Sequence, residues 1–144
     1  MKINELREMV TKDLRVDPTE LDVASLLVPQ LHAKYLNLLM DEKLALKKLK
    51  LDLAALKRDK WEYYSGKMSE ERLAQLGWEQ FHLKILRQDL DKYMDSDAET
   101  IAHITKIAFS EEKVEYLTGV IKAVSNLHWN IRSAIDWKKF THGA

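Results

Sequence analysis

Residues 30–64 read QLHAKYLNLLMDEKLALKKLKLDLAALKRDKWEYY, and no Gly or Pro interrupts them. This run of 35 residues predicts a helix roughly 50 Å long, at a rise of about 1.5 Å per residue. Large apolar side chains recur at alternating steps of three and four, which predicts an apolar seam along the helix. The seam consists of Tyr35, Leu39, Leu46, Leu49, Leu53, Leu56 and Tyr63, with Glu42 and Lys60 at its two non-apolar positions. A helix with such a seam needs a partner helix.

Turn-forming residues flank this segment on both sides. Upstream, residues 17–20 read Asp-Pro-Thr-Glu, which predicts a helix start with the aspartate as cap and the glutamate completing a capping box. Pro29 either kinks that upstream helix or ends it, because proline removes a backbone donor, and we expect a bend there. Downstream, Gly66 is placed to end the long helix in a left-handed cap, and Ser69 with two following glutamates is typical of the next helix start.

The other segments also favour helices. Apolar residues between 73 and 93 keep a helical rhythm, so we expect this segment to return beside the long helix. The rhythm continues over 101–117, where Ser110 either starts a separate helix or lies within one. The last segment, 117–140, is amphipathic and ends in aromatic residues. We therefore predict an all-α fold in a single domain over 1–144: a long helical hairpin followed by a C-terminal amphipathic helix.

The composition agrees with helices and excludes several chemistries. Only 4 Gly and 2 Pro occur, too few for the many reversals of a multi-stranded sheet. The absence of Cys excludes disulfides, zinc-thiolate sites and thiol nucleophiles, and it fits a reducing cytoplasm. The charged start of the chain lacks the apolar core of a signal peptide, and no apolar run approaches the roughly 20 residues that span a bilayer. We expect neither export nor membrane insertion.

The charges cancel overall but are unevenly distributed. The chain has 23 basic and 23 acidic residues. Residues 34–67 carry 9 Lys or Arg against 5 Asp or Glu, and residues 116–144 carry 4 against 1. Residues 87–115, in contrast, carry 4 against 8. An acidic middle segment can neutralise the basic ones within one protomer or between neighbouring protomers.

A basic stripe flanks the seam of the long helix. Four ammonium groups project from one side of it, those of Lys43, Lys47, Lys50 and Lys57. Three further cations and three rings cluster near its end: Arg58, Lys60, Lys67, Trp61, Tyr63 and Tyr64. Cations can track phosphates and exposed rings can stack on unpaired bases, so this pattern predicts binding of single-stranded nucleic acid. The alternative is a solvated helix face, with the rings in the core.

No catalytic or metal-binding constellation is apparent. Ser65-Gly66-Lys67 resembles the end of a phosphate-binding loop, but Trp61 stands where that motif requires a glycine. The five histidines lack ligand spacing, and the acidic series over 89–99 lacks the Gly and the Glu of a calcium loop. No nucleophile or oxyanion-stabilising turn accompanies the carboxylates. We predict no enzymatic activity, no metal and no cofactor.

Residues 57–67 resemble a signature of the UvsY family of phage recombination mediators. The signature is basic, small, basic, any, acidic, Tyr-Tyr-x-Gly-basic, and its first two basic positions fall on Arg58 and Lys60. Asp59 departs from it, because a small neutral residue usually stands between the basic pair. Its charge should weaken the local field unless Lys57 compensates. Further segments similar to the family are 14–21, 33–37 and 131–140, so the resemblance covers nearly the whole chain.

The resemblance implies a protein that binds single-stranded DNA and wraps it on a homo-oligomeric ring of hexamer or heptamer type. It also implies that the protein helps a RecA-like recombinase displace the single-strand DNA-binding protein, in the cytoplasm of the infected bacterial host. Within the family signature, the basic pair implies a DNA-binding role for Arg58 and Lys60. DNA binding is accordingly assigned to 1–115 and assembly to the C-terminal helix over 116–144. The predicted oligomerisation residues are Leu117, Ile121, Val124, Leu127, Ile131, Ile135, Trp137 and Phe140.

Two other function classes compete with this prediction. A helical scaffold or coiled-coil adaptor would use its lysines only to keep the long helix solvated, and it would assemble without affinity for DNA. A helical enzyme would need a pocket containing groups with displaced titrations, which the sequence gives no reason to expect.

Overall fold

The computed structural model describes residues 1–143, and none of these residues lies in a strand. The helices are α1 (Ile3–Asp13), α2 (Leu21–Tyr64), α3 (Glu70–Leu76), α4 (Leu90–Asp95) and α5 (Ala98–Thr141), with a 3₁₀ turn at Arg87–Asp89. The predicted all-α class is confirmed. No helix in the described part of the chain is long and apolar enough to cross a membrane.

Helix α2 begins later than predicted and continues through its proline. Asp17 does not cap it: its Oδ1 accepts hydrogen bonds from the Thr19 amide at 2.9 Å and the Thr19 hydroxyl at 2.6 Å. The Glu20 amide donates to the Asp17 carbonyl at 3.1 Å, so residues 17–20 form a turn, and the helix starts at Leu21. Pro29 lies inside the 44-residue helix, and the alternative that it ends the helix is wrong.

The segment predicted to return beside α2 is only partly helical. Within 73–93, α3 ends at Gly77, which has a φ of 68°, and an irregular stretch follows before the 3₁₀ turn and α4. Ser110 starts no new helix, because it lies inside the 44-residue α5. The predicted assembly segment from 116 onward is the last part of this same helix, with no interruption at its boundary.

The described chain divides into two compact units, and α2 and α5 contribute residues to each. The first unit comprises Met1–Lys43 and the chain from Glu111 onward. Its core joins α1 to α2 and α5, and its buried residues are Leu6, Val10, Tyr35, Leu39, Leu117, Val120 and Val124. Glu42, one of the two charged seam positions, lies 3.2 Å from the Lys113 Nζ.

The second unit comprises Leu44–Ser110. His103 donates its Nε2–H to the Leu49 carbonyl at 2.9 Å, while Lys60 lies 3.0 Å from Glu99. Later residues of α2 contact earlier residues of α5, so the two helices run antiparallel in this unit. The seam therefore packs on α5, while the segment 73–93 contacts it at Tyr63, near the end of α2.

The end of α2 has the predicted left-handed cap. Gly66 has a φ of 75°, which glycine adopts without a steric penalty. The Lys67 amide donates to the Glu62 carbonyl at 2.9 Å, and the Gly66 amide donates to the Tyr63 carbonyl at 3.3 Å. This pair of bonds is a Schellman motif, which satisfies the last carbonyls of the helix and turns the chain towards α3.

Candidate nucleic-acid interface

Residues 57–67, the motif that contains the family signature, form the last turns of α2 and the turn that ends it. Side chains three or four positions apart share a helix face. One face carries Lys60, which is buried, and Tyr64, which is half-buried. A different face carries Arg58 and Trp61, which are exposed. The helical period therefore separates the motif into an inward-facing and an outward-facing set.

Lys60 carries the buried charge of the motif. Its side chain is only 8% exposed, and its Nζ lies 3.1 Å from Asp97 Oδ1 and 3.0 Å from Glu99 Oε2. The ammonium also lies 4.1 Å from the centroid of the Trp78 ring, within cation–π range. Removing an ammonium group from water is unfavourable by several kcal/mol, and these carboxylates offset that cost. The structure thus favours an organising role for Lys60 over the DNA contact predicted for it.

Asp97 connects the motif to the start of α5. Its Oδ2 caps this helix by accepting hydrogen bonds from the Thr100 amide at 2.9 Å and the Thr100 hydroxyl at 3.0 Å. Its Oδ1 accepts the Tyr64 hydroxyl at 2.6 Å. Burial raises the pKa of the Asp97 carboxyl, but its hydrogen bonds outweigh burial and hold the pKa below its usual value. Burial, together with the Asp97 hydrogen bond, raises the pKa of the Tyr64 hydroxyl.

The two motif tyrosines belong to an aromatic cluster. Neighbouring rings in this cluster have centroids 5.0 to 6.0 Å apart, in edge-to-face or tilted geometry. Tyr63 also donates its hydroxyl to the Glu79 carbonyl at 2.6 Å. These contacts use the tyrosine rings, predicted to stack on bases, to pack the irregular segment against the end of α2. The cluster consists of Tyr63, Tyr64, Trp78, Phe81 and Tyr93.

Asp59, the departure from the family signature, is neutralised from α3. Arg72 Nη2 lies 3.3 Å and 3.1 Å from the two carboxylate oxygens of Asp59. Arg72 is positioned by the predicted helix cap, because the Ser69 hydroxyl oxygen accepts a hydrogen bond from the Arg72 amide at 3.2 Å. The compensating cation is therefore Arg72 rather than Lys57. The field around Arg58 is not weakened as much as the sequence suggested.

The outward-facing residues of the motif are three cations and one indole. Lys57 is exposed, and the Arg58 side chain is 81% exposed, with its Nε 3.5 Å from Glu62. Lys67 is exposed, and its Nζ lies 4.6 Å from the centroid of the Trp61 ring. That ring belongs to a tryptophan that is 41% exposed. These groups are the part of the motif that can reach phosphates and bases.

The other lysines of the basic stripe are exposed as well. Lys47 and Lys50 belong to the second unit, and Lys43 belongs to the first. A solvated helix face and a phosphate-binding face both require exposure, so the role of these lysines in DNA binding stays a prediction.

The predicted oligomerisation residues fall into three groups. Buried within the protomer are Leu117, Val124 and Ile131. Half-buried are Ile121, Leu127 and Ile135. Trp137 and Phe140 are 65% and 77% exposed, with ring centroids 5.8 Å apart. Leu117 and Val124 are core residues of the first unit, contrary to the contact predicted for them, because this face of α5 packs on α1 and α2.

Sequence reasoning missed the charged partners of the motif. A lysine at an apolar seam position indicates a buried charge, and a buried charge requires a carboxylate. The acidic stretch 95–99 could have been connected to Lys60 on that ground. Arg72 carries no comparable signal, because its distance from Asp59 depends on the turn between α2 and α3. Within residues 1–143, no group of three or more His, Asp or Glu side chains is arranged to hold a metal ion.

A family model described as "Recombination, repair and ssDNA binding protein UvsY" matches residues 9–144. The chain belongs to the UvsY family. This result confirms the resemblance that the signature and the three further segments predicted. A search of curated proteins finds no match to the chain.

Crystal structures of the bacteriophage T4 recombination mediator protein UvsY share the UvsY fold of this chain. The lattice type IV structure matches with a TM-score of 0.83 at 18% identity, covering 97% of this chain and 99% of that one. Lattice type II gives 0.82 at 18%, covering 99% and 98%, and lattice type I gives 0.80 at 18%, covering 95% and 98%. The shared fold extends over nearly the full length of both chains.

We expect Lys60→Met to lower the free energy of unfolding by roughly 3 kcal/mol, because Asp97 would keep a buried charge without its cation. Arg58→Ala is the matched control on the same helix, and it should stay within about 0.5 kcal/mol of the wild type because the side chain is exposed. Urea denaturation of both variants measures the difference. Equal stabilities would contradict the organising role of Lys60.

Proposed function

We propose that this chain is a recombination mediator without enzymatic activity. It binds single-stranded DNA as a homo-oligomer and promotes loading of a RecA-like recombinase onto DNA coated with single-strand DNA-binding protein, in the cytoplasm of the infected bacterial host. The observation that carries this proposal is membership of the UvsY family, by a match to residues 9–144. The relatives of known structure are themselves described as a recombination mediator protein.

The internal ion pairs support DNA binding by a chain with zero net charge. Near the end of α2, Asp59 is paired with Arg72, while Asp97 and Glu99 are paired with Lys60. Because a cation lies beside each of these carboxylates, they repel a phosphate approaching the outward-facing cations less than unpaired carboxylates would. Local charge, rather than net charge, governs how a polyanion is attracted to one surface.

Oligomerisation would supply the affinity that one protomer lacks. Each protomer offers a few exposed cations, and contacts of this kind are individually weak. Repeating them on several joined protomers raises the affinity through effective concentration, without any new type of contact. The exposed Trp137 and Phe140 rings are the assembly residues that can contact another subunit while the protomer core stays packed. The proposed assembly is a ring of hexamer or heptamer type.

Many weak contacts also suit a mediator. A strand held at several sites can be released from one protomer at a time, so a recombinase can take over a short stretch while the rest stays bound. Because phosphate contacts release counterions, the complex weakens steeply with salt. A protein of this kind holds the strand but can give it up to the recombinase.

We expect Lys57→Ala with Arg58→Ala to reduce affinity for a labelled oligo-dT strand in fluorescence anisotropy. The slope of log K against log salt should become shallower by about 0.7 for each lost phosphate contact. The matched control removes two exposed cations outside the motif, Arg15 and Lys122, by the same Ala substitutions. Equal losses in the two double variants would show that only net charge matters, against a site at the end of α2.

Replacing Trp137 and Phe140 together by Ser should lower the mass measured by multi-angle light scattering, because two large exposed apolar rings are lost from the contact. The circular dichroism spectrum should stay helical, since neither ring is part of the protomer core. A double variant that keeps the wild-type mass would place the subunit contact elsewhere.

Recombinase loading is tested on single-stranded DNA that already carries its single-strand DNA-binding protein. Adding the wild-type chain should shorten the lag before the DNA-dependent ATPase of a RecA-like recombinase reaches its steady rate. The Lys57→Ala, Arg58→Ala variant should shorten it less, because it holds the strand more weakly. If the chain is instead a scaffold without DNA affinity, adding the wild type will leave the lag unchanged.

A further inference from the structure

A pocket in the second unit lies beside the outward-facing residues of the motif. Its volume is about 380 Å³, within the ~300–1,000 Å³ typical of small-ligand sites. The lining residues used below are an indole, two cations and an apolar patch. The patch comes from the residues just before α4 and from the first residue of α4. Together, these lining residues are Trp61, Lys67, Arg87, Ile85, Leu86 and Leu90.

We propose that this pocket is a nucleotide subsite, which takes one unstacked base of single-stranded DNA against Trp61, with its flanking phosphates on Lys67 and Arg87. The inference rests on the proposed function and adds a site to it. It assigns a base-binding role to Trp61 and a phosphate-binding role to Arg87.

Trp61 is the more exposed of the two tryptophans in this unit. It is 41% exposed, whereas Trp78 is half-buried and packs on Tyr63 at 5.3 Å. A base that stacks on an exposed ring removes apolar surface from water on both partners, and it does so for any base, because every base has a π face. This chemistry suits a protein that must bind strands of any sequence.

The two cations are placed for phosphates rather than for the ring alone. The Lys67 ammonium lies 4.6 Å from the centroid of the Trp61 ring, and an exposed cation–π contact of this kind is weak. When a base stacks on the indole, the flexible Lys67 side chain can therefore move its ammonium group from the ring to a phosphate. Arg87 is exposed and also lines the pocket, and its guanidinium can bind a phosphate oxygen pair.

The apolar patch of the pocket favours binding of a DNA base and not only of the sugar-phosphate backbone. Ile85, Leu86 and Leu90 line the pocket, and Leu90 is buried at 9% exposure. Phosphates gain nothing from such a surface, whereas the flat face of a base does. An acidic peptide could also use cations beside an apolar patch, and the experiment below separates this ligand from a base.

The test compares two strands of equal length at equal salt, oligo-dT and a fully abasic strand with the same number of phosphates. The wild type should bind oligo-dT more tightly by about fivefold or more, as expected for stacking. Trp61→Ala should lose this preference by binding oligo-dT more weakly while its affinity for the abasic strand is unchanged. Trp61→Phe should retain most of the preference, because it keeps an aromatic face.

The matched control is Trp129→Ala, which removes another exposed tryptophan that has an arginine, Arg132, beside its ring. It should keep the preference for oligo-dT. Arg87→Ala should weaken binding of both strands by a similar factor, because it acts on phosphates.

The outcomes distinguish this subsite from the function on which it rests. A wild type that binds neither strand would overturn the proposed function itself. A wild type that binds both strands, with Trp61→Ala showing the same preference, would overturn the subsite while leaving DNA binding in place. Competition of an acidic aromatic peptide with wild-type binding, combined with an unchanged base preference in Trp61→Ala, would assign the pocket to a protein ligand and also overturn the subsite.

Discussion

The Lys60 ammonium is held out of water between two carboxylates, and the end of α2 depends on that arrangement. Asp97 performs three tasks at once: it pairs with Lys60, caps α5, and accepts the Tyr64 hydroxyl. Removing Lys60 would leave the Asp97 carboxylate buried without its cation, which is far more costly than losing an exposed pair. The same interaction therefore joins the motif helix, the start of α5 and the aromatic cluster into one structure.

A related arrangement occurs in the first unit. Asp13 accepts the Tyr35 hydroxyl at 2.8 Å and pairs with Lys34 at 2.6 Å. The pKa of Asp13 is lowered because hydrogen bonds and nearby lysines outweigh the effect of burial, which raises it. A leucine seam alone could pack in several registers with similar apolar burial. Charged seam positions with dedicated partners, Glu42 with Lys113 among them, favour one register over the others.

The inward ion pairs also determine what the surface presents. Lys60 and Arg72 offset part of the negative charge of their carboxylate partners, which makes the field around the solvent-facing cations at the end of α2 less negative. Among those cations, Arg58 also contacts Glu62. The family signature thus separates into two faces: one helix face maintains the fold, and the next presents Arg58 and Trp61 to solvent. A basic signature does not by itself mean that every basic residue touches DNA.

Local spacing was enough to determine the all-α class, the seam of α2, the Gly66 cap and the Ser69 helix start, because each depends on residues only a few positions apart. It also indicated the exposed cations. Only the tertiary structure decided that α5 packs on the seam while 73–93 reaches it near the end of α2, and that Lys60 faces inward to Asp97. Those outcomes depend on contacts between residues far apart in the sequence, and helical periodicity shows that a face needs a partner without showing which segment supplies it.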